Sequence, residues 1–132
     1  MKTGFEPGIV RSLTLTVTPD MCPVFDGVVV HPVYSTWSVA HHFEIAARTV
    51  LVDFLEPDEE GVGSHVSVDH LAPCQVGGQV RVEAELVEVS QDRHIKVVCA
   101  CRAFSGERLL ATGRQVQVVM EKEHLKRYFE RS

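Results

Sequence analysis

No apolar run in this chain comes near the ~18 residues that a membrane-spanning helix needs, so a helical membrane protein is not expected. The opening MKTGFEPGIVRS lacks the apolar stretch of a secretory signal. Both gaps lead to the expectation of a soluble, cytoplasmic protein. Positive charge is also short, with 13 Lys and Arg against 18 Asp and Glu and a net charge of −5. The basic residues are scattered, apart from Lys122, Lys126, Arg127 and Arg131. Nucleic acid is therefore not the expected partner. The cysteines, Cys22, Cys74, Cys99 and Cys101, form no C-x-x-C pair. Cys99 and Cys101 fall on one face of a candidate strand and should pack as small apolar side chains. There is no H-E-x-x-H, and His65 and His70 fall on opposite sides of their strand. A metal site around His41, Glu44, His65 and His70 is therefore not expected, and no cofactor is implied. Internal repeats and low-complexity stretches are also missing.

What is present is one domain, residues 1–132, with 45% apolar residues, the usual level for a chain with a core. It is organised around the stretch from Tyr34 to Leu71. Apolar residues at 39, 40, 43, 46, 47, 50, 51, 54 and 55 follow the helical spacing without a miss. Ile45 and Val52 lie outside that stripe, so the helix should be covered on more than one side. Ser35, Thr36 and Ser38 can each cap its start. Glu56-Pro57 should end it, because the residue before a proline is pushed out of the helical region. Such a rod is long for this chain, and a sheet wrapped around it is the simplest way to bury it.

After an acidic, exposed break comes a stretch with a period of two. Val62, Ser64, Val66, Val68 and His70 share one face, and Gly63, His65, Ser67, Asp69 and Leu71 share the other. The first face, being mostly apolar, should point at the helix. Glu44 lies about 140° from Val39 on the helical wheel, at the edge of the apolar stripe. A carboxylate and an imidazole are thus aimed near one helix–sheet seam.

The rest of the chain alternates. Leu13, Leu15 and Val17 mark a first strand, and Asp26-Gly27 closes a loop before Val28–Val30. Residues 79–86, 95–103 and 108–120 read as strands joined by short turns, with a bulge at Leu86-Val87 and a close approach or bulge at Gly113. A short polar helix should occupy about 121–131. Short turns predict an antiparallel meander after the helix. The fold class is α+β: a long central helix wrapped by a curved antiparallel β-sheet.

That architecture resembles the hotdog fold. The run HPVYSTW, then FEIAAR, then VGSHVSVDHLAP resembles the fluoroacetyl-CoA thioesterase group of hotdog proteins. In that group a Thr precedes the helix, a Glu follows eight positions later, and a His 26 positions after that; Thr36, Glu44 and His70 keep these spacings. A backbone N–H belongs to a Gly seven residues before the His, where Gly63 stands. The resemblance implies an acyl-CoA thioesterase with catalytic Thr36, Glu44 and His70, and with Gly63 as the oxyanion or substrate-binding residue. It implies acyl-CoA as the substrate and a homodimer, or a dimer of dimers, as the assembly.

The chemistry suits these residues. A thioester is already activated, so hydrolysis needs an attacking oxygen and support for the oxyanion. His70 can act as general base near neutral pH. Glu44 can orient water, balance an imidazolium or attack the carbonyl. Thr36 is about 12 Å of helix rise from Glu44, so its partner should be His70 or the substrate. Each residue also has an ordinary reading: Thr36 as a helix cap, Glu44 as a solvated acid, His70 as a hydrogen-bonded strand-end histidine, Gly63 as a strand-entry glycine. Their joint spacing raises them above it. The alternatives are a hotdog enoyl-CoA hydratase, whose Asp and His motif is not found, and a non-catalytic acyl-CoA-binding module. The acyl group is not legible.

Overall fold

The computed structural model describes residues Met1–Ser132. Its frame is a helix, α1 (Thr36–Val52), and an antiparallel sheet curled round it. The strands are β1 (Val10–Thr16), β4 (Glu59–Val66), β5 (Asp69–His70), β6 (Gln79–Gln91), β7 (Ile95–Ser105) and β8 (Arg108–Glu121). Two very short strands, β2 (Val24–Phe25) and β3 (Val28–Val29), form a separate hairpin before α1. Its turn is Asp26-Gly27, with φ of 52° and 76°, the pair of positive angles that a two-residue hairpin loop demands. A last helix, α2 (Lys122–Glu130), leaves the end of β8. No helix is long and apolar enough to cross a membrane.

The stripe read from the sequence is the buried face of α1. Val39, Phe43, Ala46, Ala47, Val50 and Leu51 are completely buried. Ser35 caps the helix, its hydroxyl oxygen accepting from the Ser38 N–H at 3.2 Å. The Ser38 hydroxyl donates to the Met21 carbonyl at 3.0 Å and ties the helix start to the short 3-10 turn at Pro19–Met21. The helix ends before Glu56-Pro57, because Phe54 folds back. Its N–H donates to the Leu51 carbonyl and its carbonyl accepts from the Lys2 N–H at 2.7 Å. The Phe54 ring lies 5.1 Å from that of Phe5. A proline sets the latest end a helix can have; here the N-terminal segment captures the chain sooner.

The sheet order is β1-β6-β7-β8-β4, with β5 also on β8. The predicted meander therefore holds for β6, β7 and β8 only. The segment between β5 and β6 is not a tight turn. It passes under the start of α1, where the Cys74 carbonyl accepts from the Tyr34 N–H and the Gly77 N–H donates to the Val17 carbonyl, each at 2.8 Å. The expected bulge near Val87 is present, as a register shift between Leu86 and Glu88. Gly113 is a point of close approach, since a Cβ there would collide with the Ser67 carbonyl oxygen.

The stretch 62–71 is not one strand. A register shift between Gly63 and His65 makes Ser64 a bulge, and pairing stops between Val66 and Asp69. A bulge inserts one residue and so reverses which side later residues face. Gly61 and Gly63 accordingly face the helix, where Val62 and Ser64 were expected; Gly63 is paired with Gln117. Beyond the bulge, Val66 and Val68 pack against the core as predicted. The four cysteines are free and buried. Burial pushes the thiols of Cys99 and Cys101 up to about 11 and about 12, as befits packing residues.

Candidate active site

Thr36, the first residue of α1, is free to use its side chain elsewhere because Ser35 is the cap. Its Oγ1 lies 3.0 Å from Nδ1 of His70. His70 is held by the pairing of β5 with β8, opposite Ala111. The other ring nitrogen, Nε2, is buried and has no partner in the chain. One end of this imidazole is therefore fixed, and the other has a hydrogen-bonding capacity that the chain leaves unused.

Glu44 lies about two turns further along α1 and meets the sheet at Gly63. Its Oε1 stands 3.2 Å from where a Cβ on Gly63 would be. The absence of a side chain lets the carboxylate lie over the strand. Along an antiparallel pair, backbone groups turn alternately toward and away from the partner strand. The Gly61 N–H turns away from β8, to Glu60 Oε1 at 2.9 Å. Gly63, two residues on and still before the bulge, has the same sense, so its N–H faces the open edge of β4. The nearby Arg48 is tied to Glu60 at 2.8 Å, at the next turn of the helix.

The four predicted residues stand along one seam as two separate pairs, Thr36 with His70 and Glu44 with Gly63, six residues apart on β8, where His70 pairs with Ala111 and Gly63 with Gln117. Glu44 and Gly63 are exposed at the sheet edge, and His70 is half-buried. A wide groove of about 880 Å³ between β8 and α2 includes none of them. His41 is exposed and His42 half-buried, with its Nδ1 2.6 Å from the Tyr34 hydroxyl. Burial, followed by the neighbouring His41, lowers the pKa of His42, and burial raises that of Tyr34. No three His, Cys, Asp or Glu side chains gather in a metal-holding group.

Two features were missed in the sequence. Phe25, on β2, meets Trp37 edge-on at 5.5 Å, next to Thr36. Phe25, Val28, Val29, Val30 and Trp37 are all exposed, a cluster of apolar surface beside the site. Gln115 of β8 is 2% exposed and faces the helix behind Gly63. The signal was available, since Gln115 and Gln117 are polar residues on the inward phase of a strand.

The family described as fluoroacetyl-CoA-specific thioesterase matches residues 17–123. A Thermus thermophilus hypothetical protein, described as a thioesterase superfamily member, is 33% identical, with a TM-score of 0.90 over 98% of this chain and 93% of that one. A hot-dog-like protein from Thermanaerovibrio acidaminovorans is 25% identical, with a TM-score of 0.85 over 95% and 91%. A variant of the fluoroacetyl-CoA-specific thioesterase is 21% identical, with a TM-score of 0.84 over 98% of both chains, a likeness of fold. No curated protein is detectably similar in sequence.

Proposed function

We propose, for a chain that belongs to the fluoroacetyl-CoA-specific thioesterase family and hydrolyses acyl-CoA thioesters, that Thr36, Glu44, Gly63 and His70 carry the reaction. The observation that supports this reading best is the state of His70: Nδ1 bonded to Thr36, Nε2 buried and unpartnered. With Nδ1–H donating to Thr36 Oγ1, Nε2 keeps its lone pair and can accept a proton. The Gly63 N–H donates to the thioester oxygen as it gains negative charge. Glu44, above Gly63, directs a water onto the carbonyl carbon, and His70 takes the proton that the water gives up. The two pairs stand six residues apart along β8, so one thioester meets both where two copies of the chain join. The C–S bond then breaks, and the proton held by His70 passes to the sulfur, giving a carboxylate and free CoA thiol. Thr36 keeps the imidazole in the tautomer the cycle needs.

The acyl group is bounded by the apolar cluster of Phe25 and Trp37, which offers an aromatic wall beside Thr36. Structures of the fluoroacetyl-CoA-specific thioesterase are described with acetyl-CoA and with fluoroacetate and CoA, which supports CoA as the carrier here. The working unit is a homodimer. β4 is an edge strand whose outer side is open, and an open edge is normally paired or covered. Two copies of β4 pairing about a two-fold axis would cover the edge where Glu44 and Gly63 are exposed. The unpaired cysteines fit a cytoplasmic setting.

Two experiments test this. Thiol release is followed over short, aromatic, branched and long acyl-CoAs, and release from at least one class is expected. Sedimentation at micromolar concentration should give at least twice the 14.7 kDa of one chain; a single-chain mass would refute the dimer.

A further inference from the structure

Two buried side-chain polar atoms in the chain lack a hydrogen-bond partner: Nε2 of His70 and Oε1 of Gln115. Buried polar groups are almost always paired, and an orphan calls for an explanation such as strain, a catalytic role or a bound water or ion. His70 already has a role in the reading above. Gln115 does not.

Its place in the fold singles it out. Gln115 and Gln117 project from the same face of β8 and are buried to the same degree, 2% and 3% exposed. Gln117 is bonded, its Nε2 donating to the Ala47 carbonyl of α1 at 3.1 Å. Gln115, two residues along, makes no such bond. Its Nε2 lies 3.5 Å from the point where a Cβ on Gly63 would stand, and Glu44 Oε1 lies 3.2 Å from that same point. The amide and the carboxylate therefore share the space that Gly63 leaves empty. A side chain at position 63 would press on both.

We infer that Gln115 is the positioning residue for Glu44, with its Nε2–H donating to the carboxylate when substrate covers the sheet edge. An exposed carboxylate is held by water until the site closes. Once water is expelled, a donor from the protein must replace it, or the carboxylate loses its orientation. The buried amide is that donor, fixed in place by the strand. Methionine has a similar shape and would fill the position without leaving a buried acceptor unsatisfied. An amide here leaves its Oε1 unpaired, and the Nε2–H donor that it places beside Glu44 is what offsets that cost.

The inference rests on the thioesterase reading, and its test separates the two. Wild type, Gln115→Met, Glu44→Gln and the double variant are compared by thiol release on the best acyl-CoA, with thermal unfolding of each. Gln115→Met should lose roughly 10- to 100-fold in kcat, with KM little changed and Tm unchanged or raised. On the Glu44→Gln background it should cause no further loss, because it acts through that carboxylate. Gln117→Met serves as the contrast: a lower Tm and an unchanged kcat per folded molecule. A Gln115→Met enzyme with wild-type kcat, a loss that adds fully to that of Glu44→Gln, or a variant that cannot fold would overturn the inference while leaving the thioesterase reading in place. A wild type inactive on every acyl-CoA would overturn both.

Discussion

Gly63→Ala adds a single methyl group at the point where the site is tightest. The new Cβ would stand 3.2 Å from Glu44 Oε1 and 3.5 Å from Gln115 Nε2. The first distance is shorter than a comfortable carbon–oxygen contact, so the carboxylate must retreat by a few tenths of an ångström. Glu44 is exposed, so it has room to do so. The position lies outside the left-handed region, so alanine brings no backbone strain there. Alanine also lowers the entropy of the unfolded chain, worth about 0.4–1 kcal/mol in favour of folding. The two effects are of similar size and opposite sign, and Tm should move by no more than roughly 3 °C. The rate should respond differently, because a small misplacement of a reacting group is costly to a reaction that depends on alignment. A loss of about 10- to 100-fold in kcat is expected, with KM little changed. Gly61→Ala is the matched control. Its Cβ would come within 2.5 Å of Leu51 Cδ2, a completely buried side chain that cannot yield. Overpacking of about 1–3 kcal/mol should lower Tm by roughly 5–10 °C while sparing kcat of the folded fraction. Steady-state thiol release and calorimetry on both variants decide the matter. A Gly63→Ala enzyme with wild-type kcat would show that Glu44 does not work over this glycine.

Other substitutions probe the same seam. His70→Ala should abolish turnover, by about 10²–10⁴-fold, without unfolding the protein, as circular dichroism would show; near-wild-type rates would end its assignment as base. Glu44→Gln is nearly isosteric and should reduce kcat by about two orders of magnitude or more with KM and Tm little changed. A surface acid would leave kcat alone. Thr36→Val keeps the shape but removes the bond to His70 Nδ1, and should slow kcat by roughly tenfold. Because Ser35 caps the helix, Tm should hold, and Thr36→Ser should restore most of the rate.

The helix was legible because its signal is redundant. A stripe repeated over several turns fixes which side is buried, and Val39, Phe43, Ala46, Ala47, Val50 and Leu51 are all on it. Its end was misread because Glu56-Pro57 is a local stop, whereas Phe54 is captured by Lys2 and Phe5 from far away in sequence. The strand after it was misread for a related reason. Alternation alone cannot reveal an inserted residue, and the bulge at Ser64 turned Gly61 and Gly63 inward. Strand order had the same weakness: the short turns reveal β6, β7 and β8, but β4 pairing with β8 is a long-range contact without a local mark. At the site, helix length excluded Glu44 as a partner for Thr36 and left His70 or the substrate; the structure gives His70. Gln115 was visible only as a polar residue on an inward phase. Its relation to Glu44 depends on how closely the strand passes the helix at Gly63.

The central claim is thioester hydrolysis at the seam between α1 and β4, and its most direct test is thiol release by the wild-type protein across a panel of acyl-CoAs, with His70→Ala run in parallel. The account predicts that at least one acyl class is hydrolysed with kcat/KM of about 10⁴ M⁻¹s⁻¹ or more, and that the variant, equally folded, loses that activity. A folded wild-type sample that releases no thiol above the buffer rate from any acyl class, or a variant that releases it equally fast, would contradict the account.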